Sequence, residues 1–371
     1  GDDFITLRST VEGSGSDNVQ QTGVKSIEGA GEHPIDFWID FKGTIPEGAT
    51  PRCAIVRVRY HNYTCEHDIF VRQGYAPITI NGNAESDNNP AWTSYNVYRF
   101  DANNAPVYTK SPLEEGSLFR RGNRTAILAS NNDRSGFTFG VEPTGSFNVL
   151  EFGSATTSQK TWSQLAPSTD DVTNRFKEWS IAGDHERIAT IEDFYTLEST
   201  SIHSNINKAY GVLYGDGATE TQKSVKEAFG YDHNEDPTNS KKGMRGCFVF
   251  NVNNSRNIFF PIGKSGYGRR KGMTSNGEKV GTLRYAQRTD YYNNDGTGNI
   301  QYVPLFYDLF ERPGAIYQCR NRLESTNNEV KNSSAFDINY FTMGFEGFEN
   351  GASNNNNGSD SDACFIRTVK Y

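Results

Sequence analysis

Apolar and polar residues alternate along the first part of the chain with the period of two that is typical of half-buried strands. Residues 34–42, 54–60 and 68–73 follow this pattern. Residues 10–33 are rich in Gly, Ser and Asn, which predicts a flexible loop. We therefore expect residues 1–80 to form a small β-strand unit, either a small sandwich-like module or part of one.

A polar segment with almost no apolar residues, 81–91, predicts a linker and a domain boundary. No second linker divides residues 92–371, which we expect to form one α+β domain. A first helix is predicted at 190–197, with Thr190 as N-cap and acidic residues in the first turn. A second is predicted at 219–229, before a glycine C-cap. The other regular segments read as short strands: 248–252, 257–261, 281–286, 305–310, 315–319, 336–345 and 364–369.

Composition narrows the possible functions. Hydrophobic residues make up 35% of the 371 residues, but 24 Phe, 19 Tyr and 4 Trp supply bulky side chains for a core. The net charge of -8 argues against broad electrostatic binding of nucleic acid. No apolar run approaches the roughly 20 residues that a membrane-spanning helix needs, so no direct membrane span is expected.

The chain contains five cysteines and no C-x-x-C pair, so a structural zinc site is not expected. Cys53 and Cys65 flank a predicted hairpin whose turn lies near residues 60–63. In that register Cys65 faces about residue 57, so the two cysteines are too far apart for a disulfide. Cys247 and Cys364 lie in two apolar strands, where a disulfide and two buried thiols are both possible.

Several segments, in this order, resemble the C-type-lectin-like domains of the Fibrobacter succinogenes major paralogous type, which occur in Bacteroides-type surface proteins. These segments are residues 111–122, Arg187–Leu197, Asn257–Arg269 and Asp362–Arg367. Residues 57–60 and 65–75 resemble the segment that precedes such domains in fimbria-associated proteins. The resemblance implies a C-type-lectin-like fold for residues 92–371 and an extracellular, outer-membrane-associated location at the cell surface.

One departure from the lectin pattern limits what the resemblance implies. Calcium-dependent sugar-binding lectins use a Glu-Pro-Asn or Gln-Pro-Asp triplet and a Trp-Asn-Asp strand, and this sequence contains neither. Asp360 and Asp362 offer oxygen ligands, but their tract lacks the spacing of an EF-hand and is more typical of a solvated loop. We therefore predict no cofactor and no metal site.

Two neighbouring sets of residues are candidates for ligand binding. Arg269, Arg270 and Lys271 form the densest basic cluster, suited to an anionic glycan or to carboxylates of a partner, although a solvated loop would look the same. Tyr291 and Tyr292 stand between Asp and Asn residues in a predicted loop, where exposed rings suit sugar faces and protein partners.

No catalytic residues are predicted, because the six histidines are scattered and no nucleophile elbow is present. The leading hypothesis is a non-enzymatic adhesion or ligand-binding protein of the cell surface, as a tip or accessory subunit of a fimbria-like assembly. Its expected partners are a host or bacterial glycan or protein, and other surface or pilus subunits. The alternatives are a glycan-active enzyme with paired carboxylates and a structural spacer.

Overall fold

The computed structural model describes part of the chain, and strands dominate it. The described residues are 3–9, 19–21, 37–82, 84–86, 88–110, 112, 114–120, 122–129, 145–165, 181–183, 185–197, 205–213, 244–261, 315–320, 335–338, 343–346 and 363–371. Strands make up 51% and helix 4% of the well-defined part of the chain. The predicted α+β class is therefore wrong, and the fold is β-rich.

Five strands form in the described part of residues 1–80. They are β1 (Ile5–Ser9), β2 (Val19–Gln21), β3 (Phe37–Phe41), β4 (Arg52–Tyr60) and β5 (Cys65–Gln73). The first three pair antiparallel in the order β2-β1-β3, and the last two form a separate hairpin. The three strands expected from the alternating pattern are all present. The prediction of a loop at 10–33 was wrong for residues 19–21, which form β2 and pair with β1.

The β4–β5 hairpin buries both faces at its base. Ala54, Val56 and Val71 project to one face and pack around Phe4 of the three-stranded sheet. On the other face, Phe70 stacks on Phe248 at 4.8 Å between ring centroids. The period of two in the sequence thus reflects two different partners, one on each side of the hairpin.

The remaining strands form several small antiparallel sheets. Their bounds are β6 (Ala91–Trp92), β7 (Val97–Phe100), β8 (Pro106–Tyr108), β9 (Ser117–Arg120), β10 (Ala126–Leu128), β11 (Ser146–Leu150), β12 (Thr157–Thr161), β13 (Glu186–Ile188), β14 (Ile206–Leu213), β15 (Met244–Asn251), β16 (Asn257–Pro261), β17 (Ala315–Gln318), β18 (Ala335–Ile338), β19 (Met343–Glu346), β20 (Ala363–Cys364) and β21 (Thr368–Lys370). The sheets have the orders β12-β11-β10-β9-β20, β13-β21-β6, β14-β15-β16, β17-β18-β19 and β7-β8. A 3-10 turn spans Ser163–Leu165.

Two predicted strands are interrupted in the structure. The segment expected at 336–345 forms β18 and β19, which pair with each other. The segment expected at 364–369 divides between β20 and β21, which belong to different sheets. Apolar content alone does not show where a chain passes from one sheet to another.

One α-helix, α1 (Ile191–Tyr195), lies in the described part of the chain. Thr190 caps it as predicted: its side chain accepts from the Asp193 N–H, and the Asp193 carboxylate accepts from the Thr190 N–H. Asp193 also forms an ion pair with Arg187. The helix is shorter than the predicted 190–197, and the helix predicted at 219–229 lies outside the described residues. The capping signal was correct, but it does not determine helix length.

The main core is built from aromatic rings. Trp92, Phe194, Phe260, Tyr317 and Phe365 are all buried to 1% exposure or less and belong to one cluster. Three residues of the first 80, Cys53, Ile78 and Ile80, join the same cluster. The side-chain amides of Asn251 and Asn254 also donate to the Ile80 carbonyl, at 3.2 Å each. The domain boundary at 81–91 stays a prediction, and the chain on its N-terminal side contributes to the main core.

A buried arginine lies at the centre of the fold. The guanidinium of Arg367 donates to Asn96 Oδ1 at 2.8 Å, the Thr93 carbonyl at 2.9 Å and the Phe259 carbonyl at 3.0 Å. Its carbon lies 4.7 Å from the centroid of the Phe260 ring, within cation–π distance. Burial lowers the pKa of Arg367. No carboxylate in the described part of the chain forms an ion pair with it, so oxygen dipoles and ring faces compensate its charge.

The cysteines form no disulfides. In the hairpin Cys65 faces Tyr60 and Cys53 faces Arg72, so the predicted register was wrong by three residues. The conclusion drawn from it is confirmed, because no disulfide joins the two. Cys247 and Cys364 are both buried and unbridged, which decides between the two alternatives. Burial raises the pKa of Cys247 to about 12, so this thiol stays protonated and unreactive at neutral pH.

Replacing Arg367 with Met should destabilise the fold by about 3–5 kcal/mol, because Asn96, Thr93 and Phe259 would each keep a buried acceptor without its donor. Urea unfolding followed by tryptophan fluorescence measures this loss. The matched control is Arg59→Met, which removes an exposed arginine paired with Glu66 and should cost at most about 1 kcal/mol. Equal unfolding midpoints for the two variants would contradict the central role of Arg367.

A thiol titration should distinguish Cys65 from the other cysteines. Cys65 is partly exposed, whereas Cys53, Cys247, Cys319 and Cys364 are buried. With Ellman's reagent, we expect one rapidly reacting thiol in the native protein and all five in urea. Cys65→Ser should abolish the rapid reaction. Rapid reaction of two or more native thiols would contradict the burial of the other four.

Candidate functional site

The residues chosen from the sequence as a ligand site lie outside the described part of the chain. This applies to Arg269, Arg270 and Lys271, and equally to Tyr291 and Tyr292. Asp360 and Asp362, considered for calcium, also lie outside it. These assignments stay predictions, and the candidate site below is built from other residues.

Residues of the lectin-like segments that lie in the described part of the chain stabilise the fold. Arg187 fixes the N-terminus of α1 through Asp193, and its guanidinium carbon lies 5.0 Å from the centroid of the Tyr371 ring. Phe260 belongs to the core, and Arg367 is the buried guanidinium described above. These motifs therefore help to form the fold, and none of these residues presents an exposed binding group.

Several described carboxylates are engaged in the structure rather than grouped in a cleft. Asp68 pairs with Arg57 at 2.9 Å, and Glu151 accepts from Ser158 and pairs with Lys160 at 3.1 Å. Hydrogen bonding to Ser158 lowers the pKa of Glu151, which keeps it ionised. A general acid needs the opposite shift. Glu66 and Asp68 do lie close together, but both pair with Arg57 at 2.9 Å. The enzymatic alternative stays a prediction.

Exposed aromatic rings offer a different kind of site, and one group lies at the tip of the β4–β5 hairpin. His61, Asn62 and Tyr63 occupy the left-handed backbone region in succession, with φ of 52°, 53° and 64°. Tyr63 is 69% exposed. Tyr60 stacks on His67, and its hydroxyl lies 2.9 Å from the His67 Nε2. Left-handed conformation in three consecutive non-glycine residues is costly and constrains the shape of the turn.

A second group surrounds Tyr75, immediately after β5, where its backbone is held from both sides. Arg72 donates to the carbonyls of Gly74 at 3.1 Å and Ala76 at 2.9 Å, the two neighbours of Tyr75. Arg72 also donates to Ser94 Oγ at 2.8 Å, and Ser94 donates in turn to the Tyr75 carbonyl at 2.9 Å. A fourth bond, to the Asn257 carbonyl at 3.3 Å, fastens Arg72 to β16.

Gly74 is required for this turn. Its φ of 95° is accessible to glycine but strained for other residues. A Cβ at this position would lie 2.5 Å from the Ile45 side chain. After Gly74, the Tyr75 side chain is 53% exposed and lies beside residues 94–95.

The ring of Tyr95 contacts the ring of Tyr75. The two ring centroids are 5.6 Å apart, with the planes tilted by 32°. Burial raises the pKa of Tyr95, with a further contribution from Tyr75. Burial also raises the pKa of Tyr98, and the negative charge of Glu114 raises it further. Both tyrosines are therefore neutral hydrogen-bonding groups well beyond physiological pH.

The loop before β9 packs tightly on the residue after Tyr95. The Asn96 amide donates to the Glu115 carbonyl at 2.6 Å, and a Cβ on Gly116 would lie 2.7 Å from Asn96 Cβ. In the same loop, the Glu114 carboxylate accepts from the Lys110 N–H at 3.3 Å. We call Tyr75, Ser94 and Tyr95, which are joined by direct contacts, the Tyr75 surface.

Tyr75 lies in the segment 65–75, which resembles part of fimbria-associated proteins, but nothing in the sequence favoured it as a binding residue. The rings predicted from the sequence were Tyr291 and Tyr292 instead. The features that distinguish Tyr75 are the donors of Arg72 and the position of Tyr95, and both depend on contacts between distant strands. A Gly-Tyr pair directly after an alternating strand was the one local signal.

Within the described residues, no group of three or more His, Cys, Asp or Glu side chains is placed to hold a metal ion. No described helix has the length and apolar character that crossing a membrane requires. The Tyr75 surface is thus a set of rings and hydroxyls that suits binding by stacking and hydrogen bonds.

Comparison with known proteins adds no relative: no protein-family model matches the chain, and no curated protein or solved structure matches it significantly. The resemblance to C-type-lectin-like domains therefore stays a prediction from the sequence.

Alkaline pH should test the burial of Tyr95. Its folded-state pKa is raised above the ordinary value of about 10, so the unfolded chain loses this proton first as pH rises. Stability should be unaffected by this group below about pH 10 and fall above it. Tyr95→Phe should therefore lose less stability than the wild type between pH 8 and pH 10.5, as measured by urea midpoints. The difference between the two proteins at pH 8 controls for the loss of the hydroxyl. Parallel losses would contradict burial of Tyr95.

Proposed function

We propose that this protein is a non-enzymatic adhesion protein of the cell surface that holds its ligand on the Tyr75 surface. The observation that carries the proposal is an exposed ring on a backbone fixed by four hydrogen bonds, from Arg72 to Gly74, Ala76 and Ser94 and from Ser94 to Tyr75. A ring already fixed in position loses little conformational entropy when a ligand stacks on it.

The chemistry of the surface supports ligand binding rather than catalysis. Tyrosine offers a large rigid ring with a polar tip, which is why it is common in binding surfaces. Tyr95 remains protonated at neutral pH, so it does not serve as a base there. The ligand in this proposal is a host or bacterial surface molecule.

The cellular setting of the proposal rests on the sequence. The resemblance to fimbria-associated surface proteins supports an extracellular location associated with the outer membrane. It also supports a role as a tip or accessory subunit that assembles with other surface or pilus subunits. Adhesion requires such a position, because the ligand belongs to another cell.

A printed array of surface molecules tests the function. The array would include neutral glycans, sialylated glycans and extracellular-matrix proteins, probed with the fluorescently labelled chain. We expect Tyr75→Ala to reduce binding to the positive spots by roughly tenfold or more, because losing a central aromatic contact costs on the order of 2 kcal/mol. Tyr75→Phe keeps the ring and should retain most binding.

Phe152→Ala is the matched control, since Phe152 is a similarly exposed ring (45%) near a different turn. It should bind like the wild type. If Tyr75→Ala also binds like the wild type, the Tyr75 surface is not the site. If the wild type binds no spot, the adhesion proposal fails.

A further inference from the structure

We propose that the protein forms a twofold-symmetric dimer in which β12 of one copy pairs antiparallel with β12 of a second copy. The two five-stranded sheets then join into one continuous sheet across the axis. This inference goes beyond the proposed function and is independent of the Tyr75 surface. It follows from the direction of the backbone groups of β12, from the lack of protective charges on this strand and from the symmetry of its sequence.

β12 is an edge strand whose outer backbone groups point away from the sheet. It stands at the end of the order β12-β11-β10-β9-β20, and β11 is the one described strand that pairs with it. The Glu151 N–H donates to the Thr156 carbonyl at 3.3 Å, in the register that continues along both strands. Because hydrogen-bonded pairs alternate in an antiparallel ladder, the N–H and C=O groups of residues 157, 159 and 161 face outward.

A side-chain contact supports this direction. The Thr161 N–H donates to Gln164 Oε1 at 2.8 Å, on the side away from β11. The outward N–H and C=O groups of Thr157 and Gln159, together with the Thr161 carbonyl, are therefore placed to pair with a further strand.

β12 lacks the features that normally keep sheet edges apart. Natural edge strands are protected by charged side chains, by proline or by a bulge. The exposed end of the β4–β5 hairpin carries such charges, on residues 57, 59, 66 and 68. By contrast, β12 contains no proline, and its pairing with β11 has no register shift. Its single charged residue, Lys160, forms an ion pair with Glu151 of the same hairpin at 3.1 Å.

The sequence of β12 is nearly symmetric about Gln159, which suits a twofold axis. With Gln159 opposite the same residue of the second copy, Thr157 faces Thr161 and Ser158 faces Lys160. Thr–Thr pairs stabilise neighbouring strands, and no like charges lie directly opposite each other. In this register the two Gln159 residues exchange N–H···O bonds, and each Thr157 N–H donates to a Thr161 carbonyl.

A second copy fits this edge better than an unrelated extended peptide. The side chains of Thr157, Gln159 and Thr161 are exposed and uncharged, so two copies approach without burying a charge. A contact between identical surfaces closes on one twofold axis and leaves no free edge at that strand. An unrelated peptide would gain nothing from the symmetry of the β12 sequence.

Sedimentation equilibrium of the whole chain over a series of concentrations tests the dimer. We expect a reversible monomer–dimer equilibrium with a Kd on the order of 100 µM, because a short edge strand makes an interface at the small end of the range. The weight-average mass should therefore rise from that of the monomer toward twice that value.

Opposite charges at the axis test the register. Gln159→Lys and Gln159→Glu each place two like charges opposite each other, so each variant alone should remain monomeric. An equimolar mixture should associate again, because lysine then faces glutamate. Since the Gln159 side chain is exposed, both variants should melt like the wild type. The control is Asn88→Lys, which adds the same charge at an exposed residue outside β12 and should dimerise like the wild type.

Three results would overturn the inference. They are a wild type that stays monomeric at every concentration, a Gln159→Lys variant that dimerises like the wild type, and a mixture of the two variants that stays monomeric. Capture of an extended peptide by a monomeric wild type would assign the edge to a different partner and would also overturn the dimer. Because these variants leave Tyr75 unchanged, none of these results affects the adhesion proposal.

Discussion

The buried guanidinium of Arg367 is the interaction on which the described fold depends. It joins the last segment of the chain to residues 93–96 and to β16, three segments that are far apart in sequence. Taking a charged group out of water is expensive, and it is tolerated only where oriented acceptors replace the lost solvent. Asn96, Thr93 and Phe259 supply such acceptors, and the Phe260 ring adds a negative face. The aromatic core is therefore arranged around a polar centre and not only by apolar contact.

Asn96 connects this centre to the surface. Its Oδ1 accepts from Arg367 at 2.8 Å, and its Nδ2 donates to the Glu115 carbonyl at 2.6 Å and lies 3.2 Å from the Tyr317 hydroxyl. One side chain thus fixes both the strand that follows Tyr95 and the loop that includes Glu114. Asn96 therefore ties the residue next to Tyr95 to the buried guanidinium. Damage to the core at Arg367 would accordingly be felt at the surface.

The sequence predicted local structure well wherever the decisive contacts were local. The strand at Asn257–Pro261 and the capping box at Thr190 depend on neighbouring residues, and both form as expected. The α+β class was wrong because two helices were expected, whereas the one α-helix in the described part of the chain, α1, ends after five residues. The hairpin register was wrong for a different reason: it depends on the geometry of the turn, in which residues 61–63 take left-handed conformations without a glycine.

The candidate site was the least predictable part, because exposure alone does not define a site. Isolated apolar side chains are common on protein surfaces. Phe152 and Tyr75 have similar exposure, 45% and 53%, and a sequence cannot rank them. The difference lies in Arg72, which fixes the backbone on both sides of Tyr75 and is itself anchored to β16. From the sequence, an arginine at the end of an alternating strand is expected to be solvated. Here its N–H groups donate to the backbone on both sides of Tyr75 and so fix the position of that residue. Because that positioning requires contacts with Ser94 and Asn257, only the folded chain distinguishes a binding surface from an ordinary exposed aromatic.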